Sequence, residues 1–264
     1  MGTTIEAMRL ATFNILHGRS LVDDAVDLDR YARAVRALDA DILALQEVDR
    51  DQPRSHGADL TTIAAEAMGA VEHRFAATLA GLPTAWSAAT GDLQPGTASY
   101  GVALLSRWPV SSWTVIPLEA MHGEVPVVFD DATEPTMVTD EPRVAVVAVV
   151  ETPEGPMTAV STHLTFIPDW TVVQLERLVA ALAELPRPAV IMGDLNMAGS
   201  RPTVATGWRS LADALTYPVS HPDRQIDHIL AEGAIRAAGE ARSVATGISD
   251  HRALLVEVER GWGR

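Results

Sequence analysis

The chain has 264 residues, 47% of them hydrophobic, and thirty-five acidic side chains stand against twenty basic ones for a formal net charge of −15. This length and apolar content predict a single α/β domain over residues 1–264. Cysteine is absent and all twenty basic residues are arginine, which excludes disulfides, thiolate metal sites, cysteine nucleophiles, lysine Schiff bases and the lysine of a phosphate-binding P-loop.

Charge and apolar distribution also bear on partners and location. A protein with this excess of acid repels polyanions, so the net charge disfavours nucleic acid as a partner unless metal ions or a local arginine patch intervene. No run of 18 apolar residues occurs, so no transmembrane segment is predicted, and the start at Met1 lacks the basic and apolar regions of a secretory signal. We therefore expect a cytoplasmic protein, and no feature predicts a protein partner.

Strands and helices are predicted to be interleaved along the whole chain, without a low-complexity linker or a repeat. The first strand runs from Met8 to Leu16, and a helix follows from Asp27 to Leu38 because its apolar residues recur at helical spacing. The next strand, Asp41 to Glu47, is apolar at successive positions, which is typical of a strand covered on both faces.

The later elements continue this pattern. A helix is predicted from Ala58 to Met68, and Trp170 to Leu185 has the clearest amphipathic pattern. Arg143 to Glu151 and Met157 to His163 are predicted to be antiparallel neighbours, because the Thr-Pro-Glu-Gly-Pro sequence between them is typical of a turn. Further strands are predicted at 73–79, 100–106, 110–118, 189–192, 225–230 and 254–258.

One segment of the chain is strongly acidic. It contains seven acids and no arginine, and we interpret it as a solvated loop or insertion. The acids are Glu119, Glu124, Asp130, Asp131, Glu134, Asp140 and Glu141.

Polar side chains recur where the predicted apolar strands stop. Any one of them alone fits a helix cap or a turn residue, but together they predict one site at strand ends. Hard divalent cations such as Mg²⁺ take carboxylate and amide oxygens as ligands, which Asn14, Glu47 and Asp250 offer. The full set is Asn14, Glu47, His163, Asp194, Asn196, Asp227, Asp250 and His251.

The segment Asp194-Leu-Asn-Met-Ala-Gly has the beginning of a calcium-binding loop, but its fifth position is Ala198 and its twelfth is Ala205. An EF-hand needs a bidentate acid at the twelfth position and is therefore excluded. Asp194 and Asn196 lie two residues apart, so on an extended segment both side chains face the same way. One can orient a water and the other can donate to a phosphoryl oxygen, whereas a turn stabilised by the Asp side chain is the alternative.

Seven motifs in this order resemble the endonuclease/exonuclease/phosphatase superfamily, which includes deoxyribonuclease I, over nearly the whole chain. The resemblance implies a four-layer α/β/β/α sandwich of two mixed sheets, with helices outside and the site at one edge. The motifs are Ala11-Thr-Phe-Asn-Ile, Leu45-Gln-Glu-Val, Tyr100-Gly-Val-Ala-Leu-Leu-Ser-Arg, Ser161-Thr-His-Leu, Gly193-Asp-Leu-Asn, Ile226-Asp-His-Ile-Leu and Ser249-Asp-His.

The resemblance also implies roles for the metal-binding and water-activating residues. Glu47 resembles the main acid that binds Mg²⁺ or Mn²⁺, with Asn14 and Asp250 completing the first or second shell. Asp194 resembles the group that orients or deprotonates the attacking water, and Asn196 resembles a donor to the phosphoryl group.

The imidazoles and the substrate contacts follow from the same resemblance. Asp227 and His251 resemble a pair in which the carboxylate favours the protonated imidazole, and His163 resembles a second imidazole that faces the phosphate. Tyr100 and Arg143 match positions near the substrate, although Tyr100 also fits plain core and Arg143 also fits an ion pair with an acid such as Glu141.

Two neighbours of these motifs set limits on the resemblance. His228 directly follows Asp227, so on a strand it points to the opposite face and is predicted to be a packed histidine. Val102 occupies a position where deoxyribonuclease-like members carry an acid that supports the first histidine. His163 is therefore interpreted as a phosphate ligand rather than as a general acid.

The function predicted is a divalent-metal-dependent phosphoesterase, either a phosphodiesterase or a phosphatase, which acts by in-line attack of water on a small phosphorylated molecule or lipid headgroup. A nuclease is the first alternative, and arginines near the motifs, such as Arg19, Arg54 and Arg201, keep it open. A non-catalytic binding protein on the same fold is the second alternative.

Overall fold

The computed structural model describes residues 7–89, 96–128 and 133–261. Over these residues the chain forms four α-helices, α1 (Leu28–Leu38), α2 (Leu60–Met68), α3 (Trp170–Ala181) and α4 (Arg201–Thr206). The strands are β1 (Met8–Asn14), β2 (Ile42–Arg50), β3 (Glu72–Ala80), β4 (Ser87–Ala88), β5 (Ser99–Ser106), β6 (Val110–Leu118), β7 (Glu124–Val127), β8 (Thr136–Thr139), β9 (Arg143–Thr152), β10 (Gly155–His163), β11 (Ala189–Asp194), β12 (Arg209–Ser210), β13 (Asp227–Glu232), β14 (Ile235–Ala237), β15 (Arg242–Val244) and β16 (Ala253–Arg260).

Most of these strands belong to two large mixed sheets. The first sheet has the order β14-β16-β1-β2-β5-β3-β4, with β15 also paired to β16, and the second has the order β12-β13-β11-β10-β9-β6. Each sheet contains a parallel pair, β1 with β2 in the first and β10 with β11 in the second, while the other neighbours are antiparallel. The predicted antiparallel pairing of the strands that flank the Thr-Pro-Glu-Gly-Pro turn, β9 and β10, is confirmed.

The two sheets pack face to face around a shared apolar core. Side chains from both inner faces meet there, including Leu10 and Ile42 from the first sheet and Val146 and Val190 from the second. The outer face of the first sheet is covered by α1 and α2, and that of the second by α3. Because the central strands contribute apolar residues to both faces, these strands carry continuous apolar runs. The predicted four-layer α/β/β/α sandwich is confirmed.

The first two helices begin within two residues of their predicted starts. Asp27 caps α1 by accepting a hydrogen bond from the backbone N–H of Arg30, and Asp59 caps α2 in the same manner. The third helix ends at Ala181, four residues before the predicted end at Leu185.

Several strands depart from their predicted bounds, and β13 spans Asp227–Glu232 rather than 225–230. The first strand ends at Asn14 rather than at Leu16, because Leu16 and His17 adopt left-handed backbone conformations in a short 3₁₀ turn. The second continues past Glu47 to Arg50 through an irregularity described below.

The acidic segment from Glu119 to Glu141 is not simply a solvated loop, and that part of the prediction is wrong. β7 and β8 pair within it as a separate antiparallel ribbon. Asp140 is buried and accepts hydrogen bonds from the Met121 N–H (2.8 Å) and the Thr165 hydroxyl (2.6 Å). Asp130 and Asp131 lie outside the described residues. In its described residues the segment is therefore an insertion that contains a β-ribbon and whose base is fixed by a buried acid.

Among the helices in the described parts of the chain, none has the length and apolarity needed to cross a membrane.

Candidate active site

The candidate residues meet at one edge of the sandwich, where strands of both sheets end. In the second sheet, His163 is the register partner of Asp194, and Asp194 is the register partner of Asp227. Three neighbouring strands therefore present these side chains at the same level. Asn14 ends β1 in the first sheet, and β2 carries Glu47 beside it.

A β-bulge presents Glu47 at this edge. The pairing of β2 with β5 shifts register between Leu45 and Val48, and Glu47 within the bulge has a left-handed backbone with φ of 57°. The Asn14 amide Nδ2 donates to Glu47 Oε1 at 3.0 Å and to Asp194 Oδ2 at 3.1 Å. Asn14 thus joins an acid of one sheet to an acid of the other.

His251 lies between two buried acids. Its Nδ1 is hydrogen-bonded to Asp227 Oδ2 at 2.9 Å, and its Nε2 is 3.7 Å from Asp194 Oδ2. Burial opposes the charged form, but Asp227, Asp194 and Asp250 outweigh it and raise the pKa of His251 to about 10. The imidazole is therefore a cation at neutral pH, as the predicted Asp227–His251 pair requires.

The pKa values of Asp194 and His163 are also shifted, each toward the uncharged form of the side chain. Burial raises the pKa of Asp194 to about 7, although the charge of His251 opposes the rise. Burial, Arg143 and His251 lower the pKa of His163 well below its usual range, so its Nε2, 3.4 Å from Asp194 Oδ2, belongs to a neutral ring. A neutral His163 agrees with its interpretation as a ligand rather than as a general acid.

Loop residues complete the edge. The Asn196 backbone N–H donates to Asp194 Oδ1 at 3.0 Å, so the alternative of a turn stabilised by this Asp is also present, and the Asn196 side chain donates to the Leu164 carbonyl at 2.9 Å. Asp250 is partly exposed beside His251, and the backbone carbonyl of Asp250 accepts from the Val219 N–H at 2.7 Å.

These groups surround an open cavity of about 620 Å³. Tyr100 and Arg143 are both in its wall, as predicted from sequence, together with Glu47, His163, Asp194, Asn196, Asp250 and His251. Arg143 is buried, its guanidinium lies 3.7 Å from Glu141, and its Nε has no hydrogen-bond partner among the described residues. Asn14 and Asp227 are behind the wall, where they hold the groups that line it.

The oxygen-rich side of the cavity suits a divalent cation. Burial raises the pKa of Glu47, and the nearby Asp250 charge adds to the rise, so a cation between the two acids would relieve their repulsion. Asp194, Asp227 and His251 also offer ligand atoms within 4.8 Å of one another. That second group fits a cation poorly, because one imidazole nitrogen is bonded to Asp227 and the ring is protonated.

Two residues that sequence reasoning missed support His251. Ser249 Oγ donates to the Asn14 carbonyl at 2.6 Å and accepts from the His251 N–H at 3.1 Å. The Tyr217 ring lies 4.9 Å from the His251 ring, centroid to centroid. Ser249 could have been found because it precedes Asp250 in a recognised motif, whereas no pattern marks Tyr217.

Neither His228 nor Val102 lines the cavity. His228 is buried on the opposite face of β13, with its Nε2 2.7 Å from the Met197 carbonyl oxygen. Val102 is buried in the core between the sheets.

Residues 11–251 match the sequence profile of the endonuclease/exonuclease/phosphatase family. The chain belongs to that family. Its members are generally hydrolases that act on phosphate esters and typically depend on a divalent metal. No curated protein sequence matches the chain.

Several solved structures share the fold. An endonuclease/exonuclease/phosphatase from Beutenbergia cavernae is 23% identical with a TM-score of 0.68, covering 97% of this chain and 72% of its own. One from Bacteroides vulgatus is 17% identical with a TM-score of 0.67, covering 96% and 99%. A mannosyl-6-phosphatase from Bacteroides thetaiotaomicron is 17% identical with a TM-score of 0.63, also covering 96% and 99%. At these identities the likeness concerns the fold.

Proposed function

We propose that the chain is a hydrolase of phosphate esters that requires Mg²⁺ or Mn²⁺ and acts by in-line attack of water on phosphorus. The observation that carries this proposal is the position of an acid and an imidazole side by side at the cavity wall, with Asp194 Oδ2 3.7 Å from His251 Nε2 and Asp227 holding the other ring nitrogen at 2.9 Å. Asp194 has a pKa of about 7 and His251 a pKa of about 10, although their nearest atoms are only 3.7 Å apart. A base and a cation side by side at the wall of one cavity suit attack on a phosphoryl group.

We assign Asp194 the role of orienting and deprotonating the attacking water. Its carboxylate is oriented by hydrogen bonds from the Asn14 side chain and the Asn196 backbone, and it lines the cavity. With a pKa of about 7, the carboxylate is ionised above neutral pH and basic enough to take a proton from water. The water oxygen then forms its bond to phosphorus as the bond to the leaving oxygen breaks.

We assign His251 the role of stabilising the negative charge that develops on the phosphoryl group. Asp227 holds one imidazole nitrogen, which fixes the ring and keeps it protonated, so the other nitrogen can donate to a phosphoryl oxygen. Neutral His163 and the second N–H of the Asn196 amide are further donors at the same wall. Arg143 and Tyr100 are assigned to the substrate.

Glu47 and Asp250, with Asn14 in the first or second shell, are proposed to hold the cation. When bound there, Mg²⁺ or Mn²⁺ would neutralise charge on the phosphoryl oxygens. The support for this assignment is the donor set, since Glu47 and Asp250 face one cavity and the charge of Asp250 adds to the rise that burial causes in the pKa of Glu47.

A small phosphorylated molecule or lipid headgroup is proposed as the substrate, with phosphomonoester or diester left open. The acidic net charge supports it, because it disfavours a polyanionic substrate. A nuclease is the second candidate, and the observation in its favour is that Arg201 and Arg224 line the same cavity.

The test is hydrolysis by the purified protein of p-nitrophenyl phosphate, bis-p-nitrophenyl phosphate, nucleotides, sphingomyelin and plasmid DNA, with Mg²⁺, with Mn²⁺ and with chelator. We expect chelator-sensitive turnover that Asp194→Asn lowers by at least about a hundredfold. Asp213→Asn is the matched control, because Asp213 is exposed and does not line the cavity. Turnover that survives both chelator and Asp194→Asn would refute the proposal, and absence of any turnover would favour the binding-protein alternative.

A further inference from the structure

The acidic insertion leaves the second sheet directly beside the candidate active site. It connects β6 to β9, and its two ends are the register partners Leu118 and Arg143. Arg143 lines the cavity, so the insertion begins and ends at the cavity wall. An element placed there can affect which substrates enter.

The base of the insertion is fixed to the body of the protein. At one end the Glu119 carbonyl accepts hydrogen bonds from the Trp170 Nε1 and Gln174 Nε2 atoms of α3, each at 3.0 Å. At the other end buried Asp140 accepts from the Thr165 hydroxyl at 2.6 Å. Both anchors are donors from outside the insertion, so the ribbon has a defined position relative to the cavity.

The ribbon turns an apolar face to the cavity. Along β7 the exposed residues Glu124 and Pro126 alternate with the partly buried Val125 and Val127, which therefore share the inward face. Val127 and its neighbour Val128 both line the cavity, and Val128 is 61% exposed. An exposed valine at the mouth of a charged cavity gains from being covered by an apolar ligand group.

Three further apolar residues line the same cavity. Phe166, Ile226 and Ala198 come from loops that follow β10, precede β13 and follow β11. The lining thus combines the acids and imidazoles of the proposed chemistry with apolar residues, two of which belong to the insertion.

We propose that Val127 and Val128 are specificity-determining residues that bind the apolar portion of the substrate, so that the protein selects small phosphate esters with an alkyl or aryl group over esters of polar alcohols such as sugars and glycerol. This inference rests on the proposed function and adds the class of leaving or ester group.

The test compares the binding of hexylphosphonate and methylphosphonate to the Mg²⁺-loaded protein by isothermal titration calorimetry. Both compounds present a phosphonate to the acids and imidazoles of the cavity, but only hexylphosphonate has an alkyl tail that can contact Val127 and Val128. We expect the wild type to bind hexylphosphonate at least about tenfold more tightly, and Val127→Ser and Val128→Ser each to reduce that ratio about threefold or more.

Val71→Ser is the matched control. Val71 is 62% exposed, almost as exposed as Val128, but it precedes β3 at the sheet edge opposite to Glu47 and does not line the cavity. Its substitution should leave the ratio unchanged, and thermal melting should show that all three variants fold.

The outcomes separate the two proposals. If the wild type binds both phosphonates equally, or if neither serine variant changes the ratio, the apolar subsite is wrong while the phosphoesterase proposal stands. If neither phosphonate binds, the phosphoryl site and the inference that rests on it are both overturned. Matching losses of p-nitrophenyl phosphate and glycerol phosphate turnover in Val127→Ser would also count against a specificity role.

Discussion

Substitution of Asp227 by Asn tests the assigned role of the buried Asp227–His251 pair. The difference between a pKa of about 10 and the ordinary 6.5, at 1.36 kcal/mol per pH unit, corresponds to roughly 5 kcal/mol in favour of the imidazolium. Asp227 is its principal favourable cause, through both charge and the 2.9 Å hydrogen bond. Asn keeps the shape and one acceptor but removes the charge, so the pKa of His251 should fall by about two units.

The expected consequence is a fall in kcat of about a hundredfold or more, with the alkaline limit of activity moved to lower pH. The pKa of His251 would be measured by NMR titration of the imidazole in the chelator-treated protein, and kcat by a pH series on the best phosphate ester. His228→Asn is the control, since it alters a buried histidine on the opposite face of the same strand. An unchanged His251 titration in Asp227→Asn would refute the electrostatic reasoning, and a full loss of activity in the control would mean that general destabilisation explains the result.

Three further predictions concern the metal site, the backbone and pH. Glu47→Gln should weaken Mg²⁺ binding at least about tenfold in calorimetry without lowering the melting temperature, because burial already raises the pKa of the Glu47 carboxyl. Gly193→Ala should lower the free energy of unfolding by about 3 kcal/mol or more in a urea titration, because a Cβ there would lie 2.0 Å from the Thr162 carbonyl oxygen. Gly239→Ala is the control and should be nearly neutral, because a Cβ at Gly239 meets open space. Burial lowers the pKa of His17 from 6.5 to about 4, so on acidification the unfolded chain is protonated at His17 before the folded protein is. The free energy of unfolding should therefore fall between pH 6.5 and pH 4. His17→Asn should reduce that fall by about 2 kcal/mol, measured by unfolding at both pH values.

The sequence predicted the longer strands because apolar runs and turn residues carry local information, whereas the short strands β4, β7, β8, β12, β14 and β15 were not predicted. The paired strands β9 and β10 were found from their apolar patterns and the turn between them. Proximity in space is harder to predict than secondary structure. Asn14 and Asp194 are 180 residues apart in the sequence, and no periodicity connects them. The recurrence of polar residues at predicted strand ends, together with the ordered motifs and the resemblance that they carry, brought such residues into one predicted site.

The features that were missed depend on tertiary contacts. The register shift at Glu47 has no glycine to mark it, although Asn14 stabilises the result through a hydrogen bond. The acidity of the insertion suggested solvent exposure, but Asp140 is buried because the donors of Met121 and Thr165 satisfy it. Composition cannot distinguish a solvated acid from one that holds a ribbon in place.

The pairing of β1 with β16 affects when the site can first exist during synthesis. Met8 is the register partner of Val258, and Asp250 and His251 enter the site immediately before β16 begins. A growing chain that has folded both central sheets as far as β13 still lacks these two side chains. Nascent and prematurely terminated chains that stop before residue 250 should therefore lack the proposed phosphoesterase activity, because His251 and Asp250 are added last.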